Sequence, residues 1–297
     1  MEQTAAEYIA SILGGVPVPS GQLVHCPVPS HGRGRGDEHP SLLVRAEPWG
    51  LHVHCFAKCS REDVLTELGR RGLLPNPGQL PKRPAIIRSG DTVTLAMALW
   101  REARSPEFTL VDDYLSGRRL VLDPEVLWVV RYHPSLWFKQ EQRTRPGLLA
   151  LLTDVSSGEP CGIIRTFLNP DFVSRKHYDP RCKLGRRMLG RAKHAAVKLG
   201  SSPNPSKLVI GEGTESCLAA WMMHLRPIWA LGSAVGVAAF PLLPFVEQLI
   251  ILRENDKVGR EAADTCADRW LRAGRRVLFA PVPQGKDHND MLMMRAK

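Results

Sequence analysis

Lys207-Leu208-Val209-Ile210-Gly211-Glu212-Gly213 is an apolar run that stops on glycine and an acid, and the pattern recurs twice downstream. Leu249-Ile250-Ile251-Leu252 leads into Glu254-Asn255-Asp256, and Val277-Leu278-Phe279-Ala280 leads through Pro281, Pro283 and Gly285 to Asp287 and Asp290. Short apolar runs bounded by turn residues predict fully buried parallel strands. Helical patterns lie between them. One covers Glu215 to Leu225. In the other, Val258, Ala262, Cys266 and Trp270 recur at every fourth position beside Ala263, Ala267 and Leu271, with Gly274 closing the helix. Strands alternating with helices predict a parallel α/β sheet with its ligand at the carboxyl ends of the strands, where the acids fall. Carboxylates crowded at one edge repel each other. A hard divalent cation held by oxygen ligands relieves this, magnesium being the usual choice.

Glu212-Gly213, Ala230-Leu231-Gly232-Ser233, Glu254-Asn255-Asp256-Lys257-Val258-Gly259 and Gly285-Lys286-Asp287-His288-Asn289-Asp290, in that order, resemble a Toprim domain. This module is shared by primases, topoisomerases and some nucleases. The resemblance implies that Glu212, Glu254 and Asp256 are catalytic and hold magnesium or manganese. Asp287 would complete the shell, and Asp290 is a further candidate. The family usually carries two aspartates where this chain has Glu254 and Asp256. Primase members often have another acid where this chain has Ser216.

The chain has 297 residues, with 40 Lys and Arg against 30 Asp and Glu, a net charge of +10. That excess favours a polyanionic partner, nucleic acid first. Its length allows two or three compact units. Seven cysteines, an odd number, argue against a disulfide framework and for a reducing cytosol, so a cytoplasmic protein is expected. No apolar run has the length of a membrane span, and the N-terminus lacks a basic signal-peptide region.

Near the front, Cys26 and His31 form one pair and Cys55 and Cys59 another. Two ligand pairs separated by a β-ribbon build a structural zinc site. Ser41 to Ala46, the turn Glu47-Pro48-Trp49-Gly50 and Leu51 to Phe56 supply the ribbon. His25 rivals His31 as a ligand. Strand alternation points His54 away from the face of Cys55. The cluster, with His39-Pro40-Ser41-Leu42 and Glu62-Asp63-Val64-Leu65, is similar to the zinc-binding domain of bacterial and phage primases. In that family this domain helps choose the template site. Arg33, Arg35 and Arg45 are either a phosphate-facing surface or solvated charges.

A helix over Glu62 to Arg70 closes this module. The proline-rich stretch from Leu74 to Pro84 then reads as an extended linker that lets the module swing. From Thr92, Leu95, Leu99 and Ala103 mark a helix. Leu110 to Leu115 reads as a second, with Asp112, Asp113 and Tyr114 on its wet side. Leu127 to Tyr132, Leu148 to Asp154 and Gly162 to Leu168 read as strands, and Trp100, Trp128 and Trp137 as packing residues. Arg181 to Lys198 holds seven Lys and Arg, no acid, and glycines that rule out one long helix. Glycines among basic side chains let backbone approach phosphate. The segment resembles the basic groove that precedes Toprim in primases.

These readings give a multidomain α/β protein: a zinc ribbon at 1–73, a linker at 74–91, a mixed α+β polymerase subdomain at 92–205 and a Toprim α/β sheet at 206–297. The resemblance implies a DNA-dependent RNA primase of a phage, plasmid or other mobile element, acting on single-stranded DNA with ribonucleoside triphosphates. Arg186, Arg187, Arg191 and Lys193 would contact nucleic acid, and Lys183, Arg187 and Lys193 the triphosphate or template. A Toprim nuclease and a non-catalytic DNA-binding initiation factor are the alternatives. A topoisomerase needs a tyrosine nucleophile in a further large domain, which Tyr8, Tyr114, Tyr132 and Tyr178 do not supply. No helicase-type P-loop is present, so a helicase is expected to be a separate partner, and no membrane partner is expected.

Overall fold

A computed structural model describes residues 3–75, 91–200, 205–282 and 287–294. Most of the expected linker, 76–90, lies outside the described residues, as do Pro283, Gly285 and Lys286.

The N-terminal module begins with helix α1 (Ala5–Leu13), followed by strands β1 (Gly15–Val18), β2 (Gly21–Val24), β3 (Leu42–Glu47) and β4 (Gly50–Cys55), and closes with α2 (Arg61–Arg70). The strands form an antiparallel meander in the order β1-β2-β3-β4. Its small core packs Ile9 of α1 and Leu68 of α2 on Leu42 and Val44.

Helices α3 (Thr92–Glu102) and α4 (Leu110–Gly117) follow, then strands β5 (Val130–Phe138), β6 (Arg143–Asp154), β7 (Pro160–Leu168), β8 (Lys183–Gly190) and β9 (Ala195–Leu199). Strand β5 starts later and runs further than its apolar residues suggest. Pro134 sits in a register shift between His133 and Leu136, and an edge strand tolerates proline at such an irregularity. The wet-side expectation for α4 fails: Asp113 and Tyr114 are each 1% exposed, because each finds a polar partner far along the chain, Asp113 the Arg175 guanidinium and Tyr114 the buried Glu215 carboxylate. The acid-free basic segment folds as β8 and β9.

The last third alternates β10 (Lys207–Gly211), α5 (Thr214–Met222), β11 (Ile228–Ala230), α6 (Ala234–Ala238), β12 (Gln248–Arg253), α7 (Lys257–Arg272), β13 (Arg276–Pro281) and α8 (His288–Met294). Strands β11, β10, β12 and β13 are parallel. Leu208, Ile210, Leu249 and Ile251 pack with Ala263, Cys266 and Trp270 of α7. Val209, Ile250 and Leu252 pack with Cys217, Leu218 and Trp221 of α5 on the other face. Burial on both faces is why these strands read as unbroken apolar runs. Val258, placed on the apolar stripe of α7, is exposed; it stands in the first turn, past the strand ends that the rest of the helix covers.

The sheet does not stop at the boundary expected near residue 205. Strand β9 pairs antiparallel with β11 on one side, Val197 opposite Ala230, and with the end of β6 on the other, Ala196 opposite Thr153. Among the described residues one sheet runs β13-β12-β10-β11-β9-β6-β7-β8, with β5 on β6. A single apolar core reaches from Leu110 of α4 to Trp221 of α5.

The N-terminal module, expected to swing, is docked. Trp49 Nε1 donates to Tyr132 Oη at 2.7 Å, and Arg45 Nη2 donates to Phe108 O at 2.8 Å. Arg175 Nη1 donates to Asp113 Oδ1 at 2.9 Å beside His54 of the ribbon. Glu47 takes both Arg45 and Arg104.

Candidate functional site

Parallel pairing of β10 with β12, Ile210 opposite Ile251, brings both carboxyl ends to one edge. Glu212 follows β10 and Glu254 follows β12. Strand β13 pairs parallel with β12 on the far side, and Asp287 stands directly before α8. Glycine at 211 lets β10 run close to α5, since a Cβ there would meet Cys217 Sγ at 2.7 Å and one of the two would have to shift. Gly259 likewise lets α7 start against Glu254, where a Cβ would meet the Glu254 Cβ at 2.9 Å. Asp256 is the N-cap of α7, its Oδ1 accepting from Gly259 N at 2.7 Å.

These acids act on one another. Burial first, then the charges of Glu212, Asp287 and Asp256, push the Glu254 carboxyl up to about 7. Carboxylates with this much uncompensated charge fit a hard cation with oxygen ligands. One protein cation is already present: Arg186 Nη2 donates to Glu212 Oε1 at 2.9 Å. Asp290 donates its backbone N–H to Asp287 Oδ1 at 2.9 Å, in the capping turn of α8. Ser216 is 3% exposed, inside the first turn of α5.

The acid that α5 buries instead is Glu215, which the sequence reading passed over. Its Oε1 accepts from Lys183 Nζ at 2.5 Å and from Tyr114 Oη at 2.9 Å. Burial alone would raise this carboxyl, but Lys183 and Arg118 hold it well below the usual carboxylate range. Lys183, expected on triphosphate, is paired with Glu215 in this structure, its side chain a quarter exposed. Arg191 pairs with Asp154 at 3.1 Å. Arg187 and Lys193 are exposed. Arg187 lines a cleft of about 560 Å³ with Trp137, Lys139 and Arg165. Trp100 packs as expected, whereas Trp128 is 47% and Trp137 36% exposed, Trp137 on the wall of that cleft.

In the N-terminal module the ligand atoms of Cys26, His31, Cys55 and Cys59 lie within 4.8 Å of one another, a zinc-binding Cys3His group. Among the described residues it is the one cluster drawn this tightly; the acids at the strand ends are spread more widely. His31 Nδ1 faces the thiols, 3.3 Å from Cys59 Sγ. His31 Nε2 lies 3.2 Å from Asp37 Oδ1, and Asp37 Oδ2 accepts from Ser41 Oγ at 2.7 Å and from Cys26 N. Metal-binding histidines commonly give their second nitrogen to a carboxylate, so an acid inside the ligand loop was the available signal for Asp37. His25 stays out of the group, its Nδ1 bonded to Asp37 O at 2.8 Å. Arg33 and Arg35 line a trough of about 580 Å³ beside the metal cluster, together with Lys58 and Lys176. Arg45 is neither phosphate-facing nor solvated, being consumed by Glu47 and Phe108.

A family model described as a Toprim domain matches residues 207–297, and one described as a domain of unknown function (DUF7146) matches residues 90–199. The last third is thus a Toprim domain. No curated protein matches the chain. Among solved structures it is similar to the zinc-binding and RNA polymerase domains of Aquifex aeolicus primase (TM-score 0.45, 16% identity, 98% of this chain and 79% of that one). It is similar to a DNA primase domain from Pseudomonas aeruginosa (TM-score 0.47, 16% identity, 69% and 75%). It is also similar to the primase fragment of the bacteriophage T7 primase-helicase protein (TM-score 0.38, 22% identity), covering 51% of this chain and only 59% of that fragment.

Proposed function

We propose that this chain is a DNA-dependent RNA primase, joining ribonucleotides on a single-stranded DNA template in the service of a phage, plasmid or similar element. The observation that carries the reading is the joining of a Toprim acid edge to a cation-bearing strand: Arg186 of β8 bonds Glu212 after β10, and Arg187 beside it faces solvent. We assign residues 1–73 to template selection, 92–205 to template and nucleotide binding, and 206–297 to catalysis.

Glu212, Glu254 and Asp256, with Asp287, would hold magnesium or manganese. The chemistry such an ion supplies is charge neutralisation at the departing pyrophosphate and easier ionisation of the primer 3′-hydroxyl. The protein's own groups position and select. Asp256 has one carboxylate oxygen committed to capping α7, which aims the other. Arg186 neutralises Glu212 until substrate arrives. Arg187 and Lys193 are free to meet phosphate, as Lys183 is not while it holds Glu215. Asp290 has a capping contact and a less direct role. A replicative helicase would be a functional partner.

The test is template-dependent incorporation of labelled ribonucleotides by the whole chain. Asp256→Asn and Glu212→Gln should lower synthesis by several orders of magnitude, since a few kcal/mol of transition-state stabilisation has that effect. Both should retain DNA binding. Near wild-type synthesis by both variants refutes the metal-site assignment. Cleavage without synthesis by the wild type favours a Toprim nuclease, and DNA binding with neither activity favours a non-catalytic initiation factor.

A further inference from the structure

We infer that Arg118 and Asn289 are positioning residues for the divalent-ion site: their mutual pairing fixes helix α8, and with it Asp287, against the strand ends that carry Glu212 and Glu254. The inference rests on the proposed reading of those acids as a metal site.

Asn289 is fully buried. Its Oδ1 accepts from Arg118 Nε at 2.5 Å, and its Nδ2 donates to Arg118 O at 2.9 Å. Both ends of the amide are used, on one residue 171 positions away in the chain. A reciprocal pair of this kind defines orientation as well as distance, because turning the amide over loses both bonds.

Arg118 is itself held, at 6% exposure. Its guanidinium lies 4.6 Å from the Tyr178 ring, and Nη1 donates to Tyr114 Oη at 3.4 Å. Tyr114 passes the contact on to Glu215, which also takes Lys183. A buried polar chain thus runs from β8 through α5 and α4 to α8. Burying a guanidinium is costly unless its donors are met. An apolar contact would hold α8 with less desolvation; what the polar pair adds is a defined direction for the helix.

Asp287 stands two residues before Asn289 and caps α8, accepting from Asp290 N at 2.9 Å. Any rotation or slip of Asn289 is therefore carried to Asp287 within a single turn. Neither Arg118 nor Asn289 touches Asp287 through a hydrogen bond; the Arg118 charge also acts on Asp287 through space, and because Arg118→Lys keeps that charge and Asn289→Ala leaves it untouched, a loss of ion affinity in both variants reports the placement of Asp287.

The experiment is calorimetric titration of the zinc-loaded full chain with Mn2+, well below its unfolding temperature. Asn289→Ala and Arg118→Lys should each bind Mn2+ about tenfold more weakly, equivalent to about 1.4 kcal/mol, with zinc content unchanged. Tyr114→Phe, which deletes one hydroxyl, should weaken binding by a smaller factor, about threefold. A purely structural role would lower the unfolding temperature and leave Mn2+ affinity alone. Wild-type affinity in the variants that fold overturns the inference; should only Tyr114→Phe fold, an unchanged affinity in it does the same. A wild-type chain that takes up no Mn2+ overturns both the inference and the metal-site reading beneath it.

Discussion

Arg186 donates from Nη2 to Glu212 Oε1 across 2.9 Å, tying strand β8 to the end of β10. The guanidinium occupies the side of Glu212 from which a cation would be attracted. Arg186→Ala should therefore raise Mn2+ affinity, by up to roughly fivefold given the modest worth of a partly exposed ion pair, while primer synthesis falls. Titration calorimetry beside the incorporation assay checks both, and weaker Mn2+ binding would contradict the account.

Burial and the charges of Glu212, Asp287 and Asp256 push the Glu254 carboxyl up to about 7 from an ordinary 4.5. A carboxyl raised in the folded state stabilises below its unfolded value and withdraws that support as pH rises through the folded one. Without added divalent ion, stability should thus decline between about pH 4.5 and 7 by on the order of 1–3 kcal/mol. Glu254→Gln should remove most of the decline, and added magnesium should oppose it. Thermal unfolding at several pH values measures this; a pH-independent difference between wild type and Glu254→Gln would count against it.

Zinc content should drop in Cys55→Ser and Cys59→Ser, and metal removal should unfold the ribbon locally, since so small a module has little core of its own. Asp37→Asn should weaken zinc binding by about 10- to 100-fold without removing a ligand. Competition with a chelator reads the effect, and equal retention by Asp37→Asn would leave its contact with His31 without consequence.

For DNA binding, the slope of log affinity against log salt should lose roughly 0.7 for each single-strand phosphate contact removed. Arg187→Ala and Lys193→Ala should each show that loss. Arg191→Ala should show less, because Arg191 is already spent on Asp154. Equal losses at all three positions would mean that the Arg191–Asp154 ion pair opens on binding.

The apolar runs before Glu212 and Glu254 were legible because double-sided burial leaves no other residue type possible in those strands, and the Toprim resemblance built on them is met by the family match. Cys26, His31, Cys55 and Cys59 were legible from spacing, and their convergence bears this out. Asp113 and Tyr114 were misread because periodicity reports where polar groups alternate and is silent on whether a distant partner buries them. Arg175 comes from 62 positions away and Glu215 from 101. The same blindness hid Lys183 behind Glu215 and missed the docking of Trp49 on Tyr132. Charge runs announce a basic segment; only the fold decides which of its cations remain available.

Strand β9 falls within the segment matched by the DUF7146 family model, yet its backbone pairs with β11 of the Toprim domain as well as with β6. Severing the chain near residue 205 would strip that ladder and leave raw strand margins on both pieces, open to association with other chains. Two sequence families therefore meet here inside one continuous sheet. Separating the halves would expose the β9–β11 seam on each.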